Sequence, residues 1–261
     1  MTVRVTRTRA SSLKSSRKIL LIDISNSYTK MALAHRGRIG KVRKVPTQEL
    51  SPEIFRKTTA SFAVISSVVP SASKIIAASL VCPPLWVDHR VPGGVTVNYP
   101  NPRTIGADRL ANAAAAQSLG KLPAIVVDFG TAVTFDVIDS RGSYLGGIIA
   151  PGLPTAAHAL HEKTALLPLT LARKISSSVG KSTEEAIRIG LLLGAVGLVR
   201  ESVSRITNEM FSGKRPYVIA TGGDAGLVER LSTQNGGVRV IDLVDSLLTL
   251  RGLLVIGEKN L

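Results

Sequence analysis

The sequence predicts an α/β protein built as two related lobes with a cleft between them. Three observations lead there. Two apolar runs, "LLIDISNSYTKMAL" at residues 20–33 and "VVDFGTAVTF" at 126–135, are each interrupted by an aspartate and a polar turn. Each run opens a half of similar plan: strand, polar turn, strand, then strands and helices in turn. A distant internal repeat of this kind sets the two polar turns facing one another across a gap.

The elements follow in order. "KILLIDIS" reads as a strand and "YTKMALAHRG" as its hairpin partner, turning at Arg36-Gly37. "FAVISSVV" (62–69) reads as a buried strand, and "SASKIIAASL" after Pro70 has helical period. "PLWVDHR" is a short strand, and "VNYPNPRTIG" (97–106) is a loop by its Pro and Asn content. "ADRLANAAAAQSLG" is a helix with Asp108 near its start and Gly120 as its stop. The pattern then restarts. "AIVVDFG", "TAVTFDVID" and "GSYLGGIIAPG" are three strands joined by turns. "STEEAIRIGLLLGAVGLVRESVSRITNEMF" is one long helix or two short ones, with Ser182 or Thr183 as N-cap and Glu185 set for a capping box. "PYVIATGGDAGLVERL" is strand, glycine turn and helix, and "DSLLTLRGLLVIG" closes the chain as a helix.

Length and composition bound the function. At 261 residues the chain has room for one large or two medium domains. Its most apolar helical stretch, residues 189–199, is flanked by Arg188 and Arg200 and is short of the roughly 20 residues a membrane span needs. Cys82 is the only cysteine, so no intrachain disulfide exists, and a cytoplasmic location is expected. The net charge is +15, and Arg4, Arg7, Arg9, Lys14, Arg17 and Lys18 fall in residues 1–18 with no acid among them. That segment reads as a basic, unstructured leader ahead of two lobes at 19–118 and 119–261. A transit peptide or an arm for anionic surfaces stays open. The remaining excess favours anionic ligands such as nucleotides. No basic motif interleaved with aromatics supports nucleic-acid binding.

Four constellations carry chemistry. Tight turns at Asp23–Lys30 and Asp128–Thr131 present backbone N–H groups and small hydroxyls to phosphate oxygens, while an aspartate at a strand end suits a hydrated cation. The alternative is a pair of ordinary Asx-type hairpins. No GxxxxGK[ST] is present, and "DFG" lacks any kinase catalytic loop. In "IGADR", Asp108 is either a plain N-cap or a general base, with Arg109 beside it as a bidentate fork for an anion. "TGGDAG" (221–226) offers two glycines and a helix start to a nucleotide, or is a simple turn capped by Asp224. "GKSTEEA" offers Ser182 and Thr183 as ligand hydroxyls or as a helix cap. His158 and His161 lack a third ligand at metal spacing, and Cys82 has no activating neighbour.

Taken in order, "YPNPRTIGADR", "VVDFGTAVTFDVID", "GSYLGGIIAPGL", "TALLP", "GKSTEEAIRIG" and "ATGGDA" resemble type III pantothenate kinase, from about Ile19 to Leu254. The resemblance implies two ribonuclease-H-like lobes of the acetate kinase/sugar kinase/Hsp70/actin superfamily. It implies ATP-dependent phosphorylation of pantothenate with Mg²⁺ and K⁺ or NH₄⁺, in a homodimer whose substrate pocket lies at the subunit interface. The family's first phosphate motif, usually Asp-x-Gly-Asn-Thr, matches Asp23, Ile24, Ser25, Asn26 and Ser27, continuing through Tyr28, Thr29 and Lys30. Asp23 is expected to hold Mg²⁺, directly or through water. Asp128 matches the monovalent-cation aspartate and Thr131 the ATP contact after it. Tyr99, Gly106, Ala107, Asp108 and Arg109 match pantothenate contacts, with Asp108 as catalytic base, and Thr183 matches a further one. Two rivals remain: a kinase for another small alcohol on the same fold, and a catalytically weakened relative acting as regulator or nucleic-acid binder. Ser25 and the basic excess motivate the second.

Overall fold

The computed structural model describes residues 17–55, 58–93, 95–234 and 237–261. The expected leader, apart from Arg17 and Lys18, lies outside the described residues. The first half contains β1 (Ile19–Ile24), β2 (Tyr28–His35), β3 (Arg38–Ile39), β4 (Arg43–Pro46), β5 (Phe62–Ser67), α1 (Pro70–Ser79), β6 (Pro84–Trp86), β7 (Thr96–Val97) and α2 (Ala107–Ser118). The second contains β8 (Ala124–Phe129), β9 (Ala132–Ile138), β10 (Ser143–Pro151), α3 (Leu153–Lys163), α4 (Thr183–Phe211), β11 (Tyr217–Gly222), α5 (Ala225–Thr233), β12 (Leu243–Val244) and α6 (Leu248–Lys259).

Two sheets repeat one plan. The first runs β3-β2-β1-β5-β6, with β4 also on β2; the second runs β12-β11-β8-β9-β10-β7. In each, an antiparallel hairpin (β1–β2, β8–β9) is extended on the other side of its first strand by parallel strands (β5 and β6, β11 and β12). The β2–β3 turn sits at Arg36 and Gly37, both at positive φ (51° and 71°), as a tight two-residue hairpin requires.

Strand alternation decides where the aspartates point. On β1, Leu20, Ile22 and Ile24 pack towards α1, and Ile19 and Leu21 pack with α2 and α6. On β8, Ile125, Val127 and Phe129 face the α4 side, and Ala124 and Val126 face α2. With a period of two, Asp23 and Asp128 both fall on the faces that meet the α2–α6 layer between the sheets.

That layer explains the alanine run. Ala107, Leu110, Ala111 and Ala114 of α2 touch the first sheet's core, and Ala113, Ala115 and Ala116 touch the second's. A helix covered on both flanks leaves room only for small side chains. Gly252 of α6 lies against α2 so closely that a Cβ there would come within 1.8 Å of the Ala111 carbonyl oxygen. Gly252→Ala should therefore wedge the two helices apart and destabilise the fold by about 1–3 kcal/mol; urea unfolding reads it as a lowered midpoint with unchanged slope.

The division expected at residue 118 falls between α2 and β8, but packing crosses it. β7 of the first half joins the second sheet through β10, and α6 returns from the C-terminus to the first sheet's core. Residues 97–106, expected as a loop, begin inside β7 and hold a 3₁₀ turn at Pro102–Thr104. The expected "PLWVDHR" strand is only Pro84–Trp86. The long helical stretch is a single helix, capped by Ser182, whose Oγ accepts from Glu185 N at 3.2 Å. The Glu185 carboxylate accepts from Lys181 N rather than from the cap residue. No helix among the described residues is long and apolar enough to cross a membrane.

Candidate active site

The two polar turns meet. Ser27 Oγ and Thr131 Oγ1 are 3.0 Å apart, joining the β1–β2 turn to the β8–β9 turn across the gap. Each turn is fixed from behind. Ser25 N donates to Tyr28 O (3.2 Å), Thr47 Oγ1 donates to Ser25 O (2.7 Å) and Thr47 N donates to Ser27 O (3.1 Å). With its proton so engaged, Thr47 accepts from Thr29 Oγ1 at 3.1 Å. Opposite, Gly152 N and Thr155 Oγ1 both donate to Thr131 O (3.0 and 2.6 Å). Ser25 stands where the resembling motif has glycine, and it is not among the non-glycine residues at positive φ, so its side chain brings no backbone strain.

Between the turns lies a cleft of about 700 Å³, large enough for a nucleoside triphosphate. Asp23, Ser25, Ser27, Tyr28 and Lys30 line one wall and Asp128, Gly130 and Thr131 the other. The "TGGDAG" turn contributes Gly222, Gly223 and Asp224. Gly222 is required there. Its φ is +93°, and a Cβ would sit 2.3 Å from the Phe129 carbonyl oxygen. Asp224 occupies the N-cap of α5 but makes no side-chain capping bond, so the simple-cap reading of this turn does not hold.

Not every expected nucleotide residue faces the cleft. Ile24 is in the core of the first lobe, Thr29 is fully buried against Thr47, and Asn26 is exposed outside the cleft lining. In the structure Ile24 and Thr29 can offer a ligand only their backbone. Conversely, α3 supplies Pro154, Thr155, His158 and Glu162 to the cleft, and β4 supplies Lys44, whose Nζ lies 3.8 Å from the Tyr28 ring centroid. Sequence reasoning missed α3. Its signal was the three- and four-residue spacing of Thr155, His158 and Glu162. His161 turns elsewhere, its Nδ1 2.8 Å from Leu167 O.

Asp23 and Asp128 lie in the cleft lining, and Asp108, outside that lining, is close enough for its charge to act on Asp23. Burial, and then the nearby Asp108 charge, push the Asp23 carboxyl up to about 7, with Lys30 pulling the other way. Asp108 is raised by burial and by Asp128. Asp128 is raised by burial, against the stabilising Asn112 bond. Asn112 Nδ2 donates to Asp128 Oδ2 (3.1 Å), and Thr249 Oγ1 of α6 donates to Asn112 Oδ1 (2.9 Å), which fixes the amide's orientation.

Asp108 sits in the first turn of α2, one residue past its start, and Gly106 is the N-cap. Its Oδ1 accepts from Arg109 N at 2.8 Å. A Cβ at residue 106 would lie 2.5 Å from that oxygen, so glycine there leaves the carboxylate its place. Arg109 is more committed than a free fork. Its Nε donates to Asp136 Oδ1 (2.6 Å) and its Nη2 to Phe135 O (3.0 Å). That edge is closed to a ligand, and Nη1 with the outer edge remains. Tyr99 packs edge-on against Tyr144, with ring centroids 6.2 Å apart. Thr183 stands apart, on an apolar groove between α3 and α4.

A family model described as type III pantothenate kinase matches residues 19–205. The chain belongs to the type III pantothenate kinase family. A type III pantothenate kinase of Akkermansia muciniphila is 44% identical, covering 93% of this chain and 99% of that protein. One of Methylacidiphilum infernorum is 40% identical, covering 92% and 88%. Among solved structures, a conserved putative Baf family transcriptional activator from Campylobacter jejuni superposes with a TM-score of 0.62 at 19% identity, covering 92% of this chain and 98% of its own. At that identity the likeness shows the fold alone, the two-sheet α/β plan described above.

ATP and a divalent metal go with a pantothenate kinase, and the residues present fit a cation that shares its ligands with the nucleotide. Among the described residues no three acidic, histidine or cysteine side chains form a ligand group. Asp23 nevertheless keeps a buried Oδ1 with no partner, and one oxygen of Asp128 is already held by Asn112. Hard cations with few protein ligands are completed by water and phosphate.

Proposed function

We propose that this chain transfers the γ-phosphoryl group of ATP to the primary hydroxyl of pantothenate, giving 4′-phosphopantothenate, the first step toward coenzyme A. The observation that carries the reading is the meeting of both phosphate turns at Ser27 and Thr131 above Asp23 and Asp128, with Asp108 within electrostatic reach of both. Phosphoryl transfer asks a protein chiefly to align groups and offset charge. The Ser25–Tyr28 and Gly130–Thr131 turns hold the triphosphate, and Lys30 faces it. Asp108 accepts the hydroxyl proton as attack proceeds, and burial with the nearby Asp128 charge raises its affinity for that proton. The outer edge of Arg109 and the Tyr99 ring receive the acceptor. Asp23 is assigned to Mg²⁺ and Asp128 to K⁺ or NH₄⁺; these cations supply charge neutralisation of the phosphates.

A coupled assay with pantothenate, ATP and Mg²⁺ tests the reading against a panel of other small alcohols. Turnover with another alcohol but not pantothenate would replace the substrate. Leaving out both K⁺ and NH₄⁺ should lower turnover at least about tenfold, and indifference to both would remove the cation role from Asp128.

Thr183 supports the homodimer reading. The groove it borders is about 1050 Å³, lined almost wholly by apolar groups of α3 and α4, with Gly190 and Gly194 open beneath it. We assign this face to the second copy that the resemblance implies, and Thr183 to its contact with the partner's acceptor site. Light scattering gives the mass, and a monomer with full activity would exclude that arrangement.

A further inference from the structure

Asp136 lies on β9 with its side chain fully buried, and nothing in the transfer step uses it. It accepts from Arg109 Nε at 2.6 Å and from the Tyr144 hydroxyl at 3.2 Å, both on Oδ1, and its Oδ2 has no partner. Replacing a buried ion pair with apolar groups is often neutral or stabilising, so stability alone gives little reason to keep this one. The surroundings are shaped to the same end. The β9–β10 register shifts between Tyr144 and Gly146, a bulge that re-aims the strand. Gly146 has φ +126°, and a Cβ there would come 3.3 Å from the Tyr99 ring. At Gly147 a Cβ would overlap the Phe135 carbonyl oxygen and lie 2.8 Å from Arg109 Nη2. The paired glycines thus leave room for the Tyr99 ring and the Arg109 guanidinium, both of which pack on Tyr144, the Arg109 Cζ 5.8 Å from that ring's centroid.

We propose that Asp136 is a positioning residue for the acceptor site: with Tyr144 and the Gly146-Gly147 bulge, it locks one edge of the Arg109 guanidinium so that the other meets the acceptor's carboxylate already oriented. The proposal rests on the reading of Arg109 as an acceptor contact. A guanidinium held on one edge loses little freedom on binding, and a misplaced one loses much of its worth.

The test compares Asp136→Asn, Tyr144→Phe and Arg109→Ala with the wild-type enzyme, reading KM for pantothenate, KM for ATP and kcat separately, with pantothenate affinity by calorimetry. Arg109→Ala should raise the pantothenate KM at least about tenfold. If it does not, the reading of Arg109 fails, and the role of Asp136 falls with it. Given that result, Asp136→Asn should raise pantothenate KM and Kd about tenfold or more, leaving ATP KM unchanged and kcat within about threefold. An unchanged pantothenate KM, or an equal loss in both substrates' KM, would overturn the proposal. Should Asp136→Asn not fold, Tyr144→Phe decides, because it removes one hydroxyl and leaves the ion pair. A rise of about twofold to threefold in pantothenate KM alone supports the proposal, and no change overturns it.

Discussion

Asp108→Asn is expected to lower kcat by about 10²–10⁴-fold while leaving the fold and nucleotide affinity intact. The side chains are nearly the same size, and the amide oxygen can still accept from Arg109 N, so the first turn of α2 keeps its bond. What is lost is the capacity to take a proton, and with it some negative charge beside Asp23 and Asp128. Steady-state kinetics with a binding measurement for ADP separate the two. Loss of turnover with unchanged ADP affinity supports Asp108 as base. Near-normal turnover would show that another group, or none, removes the proton.

Asp23→Asn should trade function for stability. In the folded state burial first, and then Asp108, raise the Asp23 carboxyl to about 7 from its ordinary 3.8. Between those values the native chain binds more protons than the unfolded one, so stability falls as pH rises through that window, and the penalty is complete above it. Removing the charge should stabilise the nucleotide-free protein at pH 8 by on the order of 3 kcal/mol, and hardly at all at pH 4. Asp136, also raised to about 7 by burial, contributes in the same direction, so the pH dependence should flatten in part rather than vanish. Denaturant titrations at the two pH values, without nucleotide or divalent metal, read the difference. The same variant should lose most activity, because the strain of a buried carboxylate is what a bound cation relieves. A variant less stable than wild type at pH 8 would contradict this electrostatic account.

These effects explain why some of the site was legible in the sequence. Asp23 and Asp128 stood out because a buried strand tolerates no carboxylate without a reason, and both strands kept a clean apolar pattern around them. The hairpins β1–β2 and β8–β9 were legible for the same reason, and the long α4 by its cap and period. Strands β3, β4, β7 and β12 have two to four residues each. They are fixed by pairing with a neighbour, a non-local fact that leaves no periodic trace. Helix α3 opens with Leu-Pro and carries two histidines whose spacing suggests a metal site and masks the face it turns to the cleft. Asp136 was hidden inside an alternating strand where every second residue is expected to be polar. Only the fold shows that its face is buried on Arg109, and hence that Arg109 has one free edge and not a free fork. The resemblance covers residues 23–30 as one continuous block, but a strand-turn-strand exposes only some of its side chains. Ile24 and Thr29 belong to the core that holds the turn in place.

The most direct test of the central claim, that the acids and turns of both lobes act on a single bound nucleotide and acceptor, is a structure with a non-hydrolysable ATP analogue, Mg²⁺ and pantothenate. The account predicts the triphosphate between the Ser25–Tyr28 and Gly130–Thr131 turns, with the pantothenate hydroxyl within about 3.2 Å of an Asp108 carboxylate oxygen. A nucleotide bound elsewhere, or a hydroxyl out of reach of Asp108, would contradict it.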